Sequence, residues 1–204
     1  MLKAIIADCH GILIGKFPYE EYHSKTCKLL KKHGYDYEKA KAESLTISAF
    51  CEKHGFRDEY LKLLNSLSVD VGNEEELDEL LSKLPFDIHI ATDTSTKNLL
   101  ETLQKSRLSM DNFKSMESGN TIREPKPSTE MYQKILKENN LKAEECLVIG
   151  DRITDIMPAT ELKIPALVCN HEFFIEIIKL LSDSYEKELE NDNSKEFGEE
   201  KINF

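Results

Sequence analysis

The chain has 204 residues, 40% of them apolar, which is enough for one α/β core with a small accessory domain and excludes a collagen or a disordered tract. Its 27 Lys and Arg against 38 Asp and Glu give a net charge of −11, so non-specific partnership with nucleic acid or an anionic membrane is not expected. No run approaches the roughly 18 apolar residues of a membrane span.

The predicted elements alternate. Ala4-Ile5-Ile6-Ala7 is short and apolar on both faces and ends at Asp8, the pattern of a buried parallel strand. From Gly15 to Leu84 no strand is found. Helical patterns run instead over Tyr22 to His33, Tyr37 to His54, Asp58 to Leu67 and Glu74 to Leu84, punctuated by Gly34, Gly55 and Val71-Gly72-Asn73. About 70 residues are too many for one crossover, which predicts an inserted helical domain. Strands return at Ile88 to Ala91 before Thr92, at Cys146 to Ile149 before Gly150-Asp151, and at Ala166 to Cys169. Leu99, Leu103 and Leu108 mark one helix between them. Met131, Ile135 and Leu136 mark another, started by Pro127, Ser128 and Glu130. Strand–helix alternation predicts an α/β fold with a doubly wound parallel sheet. The expected division is a core over 1–14 and 85–182, a helical insert over 15–84, and a tail over 183–204. The tail carries eight acids against three lysines, and fraying is expected there.

The five cysteines (Cys9, Cys27, Cys51, Cys146 and Cys169) form no C-x-x-C pair. Cys146 and Cys169 lie in apolar runs and read as buried thiols. With no leader pattern ahead of the first strand, a reducing, cytoplasmic compartment is expected. His89 alternates with apolar residues and reads as a packed strand residue. None of His23, His33, His54 and His171 is expected to be a ligand. The insert lysines, among them Lys25, Lys28, Lys31 and Lys32, read as a solvated face.

In open α/β sheets ligands bind beyond the carboxyl ends of the strands. Asp8, Thr92 and Asp151 each follow a strand and would share one crevice, with Asp155 one helical turn beyond Asp151. Without a cation such carboxylates repel and raise each other's pKa. Mg²⁺, which takes oxygen ligands and a substrate phosphate, resolves this, and no His/Cys set competes for zinc. Lys126 stands between Pro125 and Pro127, a stiffened position from which its ammonium can neutralise a phosphate and the nucleophile. Thr92, followed by Asp93-Thr94-Ser95 and a helix start with free N–H groups, would form an anion pocket. An aspartate attacking phosphorus would give an aspartyl-phosphate that water hydrolyses.

These residues resemble the haloacid dehalogenase superfamily. Asp8-Cys9-His10-Gly11 is similar to its first motif, Asp-x-Asp-Gly-Thr. Thr92 resembles the second and Lys126 the third. Gly150-Asp151-Arg152-Ile153-Thr154-Asp155 resembles the fourth, Gly-Asp-x-x-x-Asp. All four stand in the family's order, and the helical insert resembles its cap. The resemblance implies a hydrolase of small phosphorylated metabolites, with Asp8 as nucleophile and Lys126 as a catalytic cation. Thr92, Asp93 and Lys126 would bind phosphate. Mg²⁺ would be held by Asp8, the backbone carbonyl of His10, and Asp151, with Asp155 supporting or joining them.

One position departs from the pattern. His10 stands where family phosphatases have the aspartate that protonates the leaving oxygen and activates water, and Ile12 replaces the usual Thr. Three readings remain open: His10 does the acid/base work itself; the relay is lost and the protein binds phosphate with weak or no turnover; or the bond differs, as in phosphonate hydrolases and dehalogenases. The intact Asp151 and Asp155 argue against the dehalogenase reaction.

Overall fold

A computed structural model describes residues 2–15, 18–44, 46–67 and 72–199. Val71 and residues 200–204, which belong to the punctuation and tail read above, lie outside them. Five parallel strands, β1 (Ala4–Ala7), β2 (Asp87–Ala91), β3 (Ser115–Glu117), β4 (Cys146–Gly150) and β5 (Ala166–Val168), lie in the order β3-β2-β1-β4-β5. The register pairs Ala7 with Ile90 and with Ile149, so the carboxyl ends of β1, β2 and β4 open at one edge. β1 is the central strand and is buried throughout, which is why it is apolar at every position. β3 is absent from the sequence reading: three mixed residues at a sheet edge carry no periodicity.

Helices cover both faces. Ile5 and Ala7 face a cluster with Leu77, Leu81, Leu99, Leu103, Phe174 and Ile178, contributed by α5 (Glu75–Ser82), α6 (Thr96–Ser106) and α9 (His171–Glu199). Ala4 and Ile6 face the opposite cluster with Met131, Tyr132, Ile135 and Ala159, contributed by α7 (Glu130–Glu138) and α8 (Ile153–Glu161). Successive strand side chains point to opposite faces, and the helices divide accordingly.

The insert has its own core. Leu30, Phe50, Cys51, Phe56, Tyr60 and Leu64 gather from α1 (Tyr19–Lys32), α3 (Ile47–Lys53), α4 (Arg57–Asn65) and the turn before α4; Ala40 of α2 (Tyr37–Glu43) joins them. The single helix predicted over Tyr37 to His54 is two. Ser44 and Thr46 are extended, and the Thr46 hydroxyl caps α3 by accepting from the Ala49 N–H. α5, read with the insert, packs its Leu77 and Leu81 into the sheet's core instead. α9 runs through Glu199 where fraying was expected, its buried contacts coming from Phe174, Ile178 and Ser182. Among the described residues no helix is long and apolar enough to cross a membrane.

The placement of α5 can be measured. Leu77 is fully buried in the sheet's core, so Leu77→Ala should cost about 2–5 kcal/mol of global unfolding free energy in urea. A loss confined to an early, separate transition of the insert would place α5 with the other helices.

Candidate active site

Asp8 follows β1 directly, and its N–H donates to the Ile149 carbonyl of β4 at 3.0 Å. The next turn is tight: Gly11 donates to Ile14 O and Ile14 to Cys9 O. Gly11 takes φ of +92°, and a Cβ there would overlap the Asp151 carboxylate. Gly150 has ordinary φ, but a Cβ on it would run into the Asp155 side chain. Both glycines make room for carboxylates to approach. Carboxylate oxygens of Asp8, Asp151 and Asp155 lie within 4.8 Å of one another. Strand alternation turns Cys9 the other way, into the core, where it is fully buried.

Lys126 is 1% exposed. Its Nζ donates to Asp8 Oδ1 at 2.9 Å, Asp155 Oδ1 at 2.5 Å and the Ala91 carbonyl at 3.0 Å. The loop that delivers it is braced from both sides. The Lys126 N–H donates to Asp93 Oδ1, and the Glu130 carboxylate of α7 accepts from the N–H groups of Arg123 and Glu124. The insert closes over this loop. The Thr46 hydroxyl donates to the Lys126 carbonyl at 3.3 Å, and the Arg57 guanidinium donates to the carbonyls of Gly119 and Arg123.

The charges divide unequally. Burial alone would raise the Asp8 carboxyl, but Lys126 and then Arg152 more than offset it and hold the group below its usual value. Asp155 shares the same ammonium without an equal second cation. Burial pushes it up to about 6, against the pull of Lys126. Asp151 and Asp93 are also raised by burial, partly offset by Arg152 and Lys126 respectively. Burial disfavours a charged Lys126, yet Asp155 and Asp8 keep it firmly protonated. This all-oxygen set, with raised carboxyls and a buried Asp8 Oδ2 that has no hydrogen-bond partner among the described residues, fits a hard divalent cation.

His10 is half-buried beside this cluster. Burial pushes its imidazole down to about 4; Asp8 opposes the shift, while Arg152 and Lys126 add to it. At pH 7 the ring is therefore neutral, which leaves it unsuited to the imidazolium role that one reading of the sequence gives it.

Thr92 is 3% exposed, and its hydroxyl accepts from the Thr94 N–H at 3.4 Å. The expected anion pocket at the start of α6 is partly taken. Thr96 donates its N–H to Asn120 Oδ1 at 2.7 Å, and Asn98 donates to the capping Ser95 hydroxyl. The Asp93 side chain is engaged by the Lys126 N–H, so what it has to offer an anion is its backbone. His89 is fully buried, with Nδ1 2.7 Å from the Ser115 hydroxyl. Cys146 is buried, whereas Cys169 is only half-buried at the exposed edge strand. Lys25 pairs with Glu21 and Lys32 with Glu59, and Lys28 and Lys31 are exposed.

Two residues escaped the sequence reading. Arg152 places Nη2 3.6 Å from Asp8 Oδ2 and Nε 3.2 Å from Asp151 Oδ1. Tyr19, 61% exposed at the start of α1, has its phenol pKa raised by burial and then by Asp151. Arg152 could have been found as a cation directly after a candidate ligand. Tyr19 has no signal in the sequence, because the insert's orientation decides what it faces.

Residues 4–169 match the family model of haloacid dehalogenase-like hydrolases. None of the curated proteins compared with the chain matches it. Among solved structures, β-phosphoglucomutase from Clostridium difficile is 18% identical, with a TM-score of 0.60 over 91% of this chain and 99% of that one. A HAD-superfamily hydrolase of subfamily IA from Geobacter sulfurreducens is 20% identical, with a TM-score of 0.59 over 89% and 100%. CbbY from Rhodobacter sphaeroides, solved in complex with phosphate, is 17% identical, with a TM-score of 0.58 over 83% and 87%. At these identities the likeness is one of fold.

The raised carboxyls fix the sign of a pH effect. A cation held by Asp155 would need it ionised, so affinity for Mg²⁺ should rise with pH and level off above about 6. Below that it should fall by up to about tenfold per pH unit for each titrating ligand. Calorimetric titration between pH 5 and 8 checks this; an affinity flat across that range would show that Asp155 carries no proton to displace.

Proposed function

The chain belongs to the haloacid dehalogenase-like hydrolase family, and from that premise we propose that it is a Mg²⁺-dependent phosphohydrolase of small phosphorylated metabolites, working through an aspartyl-phosphate on Asp8. The observation that carries the reading is the state of Asp8. It is a buried carboxylate kept ionised at the end of the central strand, with one oxygen on Lys126 and the other without a hydrogen-bond partner among the described residues. A carboxylate so held is a nucleophile in waiting. Substrate identity is read from the chemistry of the site, and an acidic protein of this kind is read as cytoplasmic.

Asp8, Asp151, Asp155 and the His10 carbonyl would hold Mg²⁺, which would supply charge neutralisation for the phosphoryl oxygens. Thr92 and the Asp93 backbone would orient the phosphate, and Lys126 would keep Asp8 anionic and aimed. An Asp8 oxygen forms the bond to phosphorus while the bond to the leaving oxygen breaks, its electron pair going to that oxygen. In the second half, water attacks phosphorus and passes its proton to neutral His10, and the electron pair of the Asp8–phosphorus bond returns to the carboxylate. Helices α1–α4 would act as the cap that encloses the substrate.

The neutral imidazole separates the two half-reactions. It is a base and not an acid at pH 7, so the leaving oxygen departs with little proton help. Substrates with good leaving groups (aryl, enol or acyl phosphates) should therefore turn over faster than alkyl phosphates. The same observation favours the second reading, a phosphate-binding protein with weak turnover.

Phosphate release from a panel of aryl and alkyl esters, with and without Mg²⁺, tests the proposal. Mg²⁺-dependent release that drops to background in Asp8→Asn is expected, and retained activity in that variant would refute the scheme. His10→Asp should speed alkyl esters by about 10²–10⁴-fold, the usual worth of general acid–base help. No gain would mean that His10 already supplies the proton.

A further inference from the structure

The donor inventory around Asp8 leaves a gap. An ammonium has three N–H groups. All three on Lys126 are directed at acceptors, namely Asp8 Oδ1, Asp155 Oδ1 and the Ala91 carbonyl. Lys126 is also 1% exposed, at the bottom of the site. It can neutralise charge through space, but a direct bond to a phosphoryl oxygen requires giving up one of those partners. At the start of α6 the Thr96 and Asn98 amides are likewise engaged by Asn120 and Ser95. A dianionic phosphate at Asp8 thus needs a cationic donor that neither feature provides.

Arg152 meets that need. It follows Asp151, at the N-cap of α8, with its own N–H donating to Asp155 Oδ2 at 3.2 Å. Its side chain is 57% exposed, yet it turns inward over the carboxylates. Nη2 stands 3.6 Å from the Asp8 oxygen that lacks a hydrogen-bond partner among the described residues, and Nε 3.2 Å from Asp151. The guanidinium thus lies over the reactive side of Asp8, opposite the Lys126 contact. It has five donors in a planar fork, a geometry that matches phosphate, and among the described residues only its Nε makes a side-chain hydrogen bond at normal distance. A cation bound between Asp8 and Asp151 would take over their charge and leave the fork to an anion. The Arg152 side chain also reaches solvent, where a substrate arrives, whereas Lys126 is sealed beneath.

We propose that Arg152 grips the phosphoryl oxygens of the substrate, making the direct anion contact for which Lys126 has no donor left. The assignment rests on the phosphohydrolase reading above. It makes Arg152 a catalytic residue, in contact with the transferring group.

The experiment uses the full chain and reads phosphate binding apart from turnover. Inorganic phosphate affinity is measured by calorimetry with Mg²⁺ present, and KM and kcat are measured on an aryl phosphate, for wild type, Arg152→Gln and Arg152→Lys. Removing a charged hydrogen-bond donor should weaken phosphate about ten- to hundredfold and raise KM in parallel. Arg152→Lys should recover part of this, since it keeps the charge and loses the fork. Affinity for Mg²⁺ alone should be unchanged or tighter in Arg152→Gln, because a neighbouring positive charge is gone. Unchanged phosphate affinity and KM in Arg152→Gln would overturn the assignment. A loss of Mg²⁺ affinity in that variant would overturn it too, by showing that Arg152 only arranges the carboxylates. If wild type binds phosphate but hydrolyses no ester, the phosphohydrolase reading fails, and the phosphate affinities still decide the role of Arg152. Wild type that binds no phosphate at all overturns both.

Discussion

A single buried ammonium holds this site together. The Lys126 Nζ joins the residue after β1, the last carbonyl of β2 and the first turn of α8. Asp8 and Asp155 could not both be ionised at such proximity in a dry interior without it. One cation between two carboxylates cannot satisfy both equally. Asp8, which also faces Arg152, keeps its charge, while Asp155 is the one that is readily protonated. The asymmetry suits the proposed roles, since a nucleophile must be anionic and a supporting ligand need become so only when a cation arrives.

The position of Lys126 is in turn set by packing outside the sheet. Glu130 at the start of α7 pins Arg123 and Glu124, and Asp93 after β2 pins the Lys126 N–H. Thr46 and Arg57 of the insert then bond to backbone carbonyls of the same loop region. The helical layer is thus tied by hydrogen bonds to the segment that carries the buried Lys126, and it has a separate aromatic core of Phe50, Phe56 and Tyr60. Fold and site are coupled through a few polar contacts to backbone, which constrain geometry without specifying side chains at the partner positions.

His10 shows what desolvation does to an imidazole. Its neighbours include both an anion and two cations, so their fields largely oppose one another and burial decides the outcome. An aspartate at the same place would be pushed by burial toward its protonated, acid form, whereas an imidazole is pushed toward its neutral, basic form. In the proposed two-step hydrolysis, one substitution would therefore invert which half receives help, while the Gly11 backbone still leaves room for the Asp151 carboxylate.

Much of this could be read in the chain itself. Strands β1, β2, β4 and β5 are short apolar runs; the first three lie at the sheet's centre, largely buried, and each is followed directly by a polar residue, while β5 is an edge strand. That local chemistry depends on no distant contact, so Asp8, Thr92, Asp151 and Asp155 could be named from order and spacing alone. Only the tertiary structure could decide the rest. β3 exists because an edge position beside β2 is available, not because Ser-Met-Glu prefers extension. The helix over Tyr37 to His54 breaks because Thr46 finds partners in the Ala49 N–H and the Lys126 carbonyl. α5 joins the sheet because Leu77 and Leu81 are buried by residues from the far end of the chain. Sequence determines which groups can do chemistry. The folded structure decides which charges meet and which donors are already occupied, because pKa values and hydrogen-bond partners arise from neighbours that lie far apart along the chain.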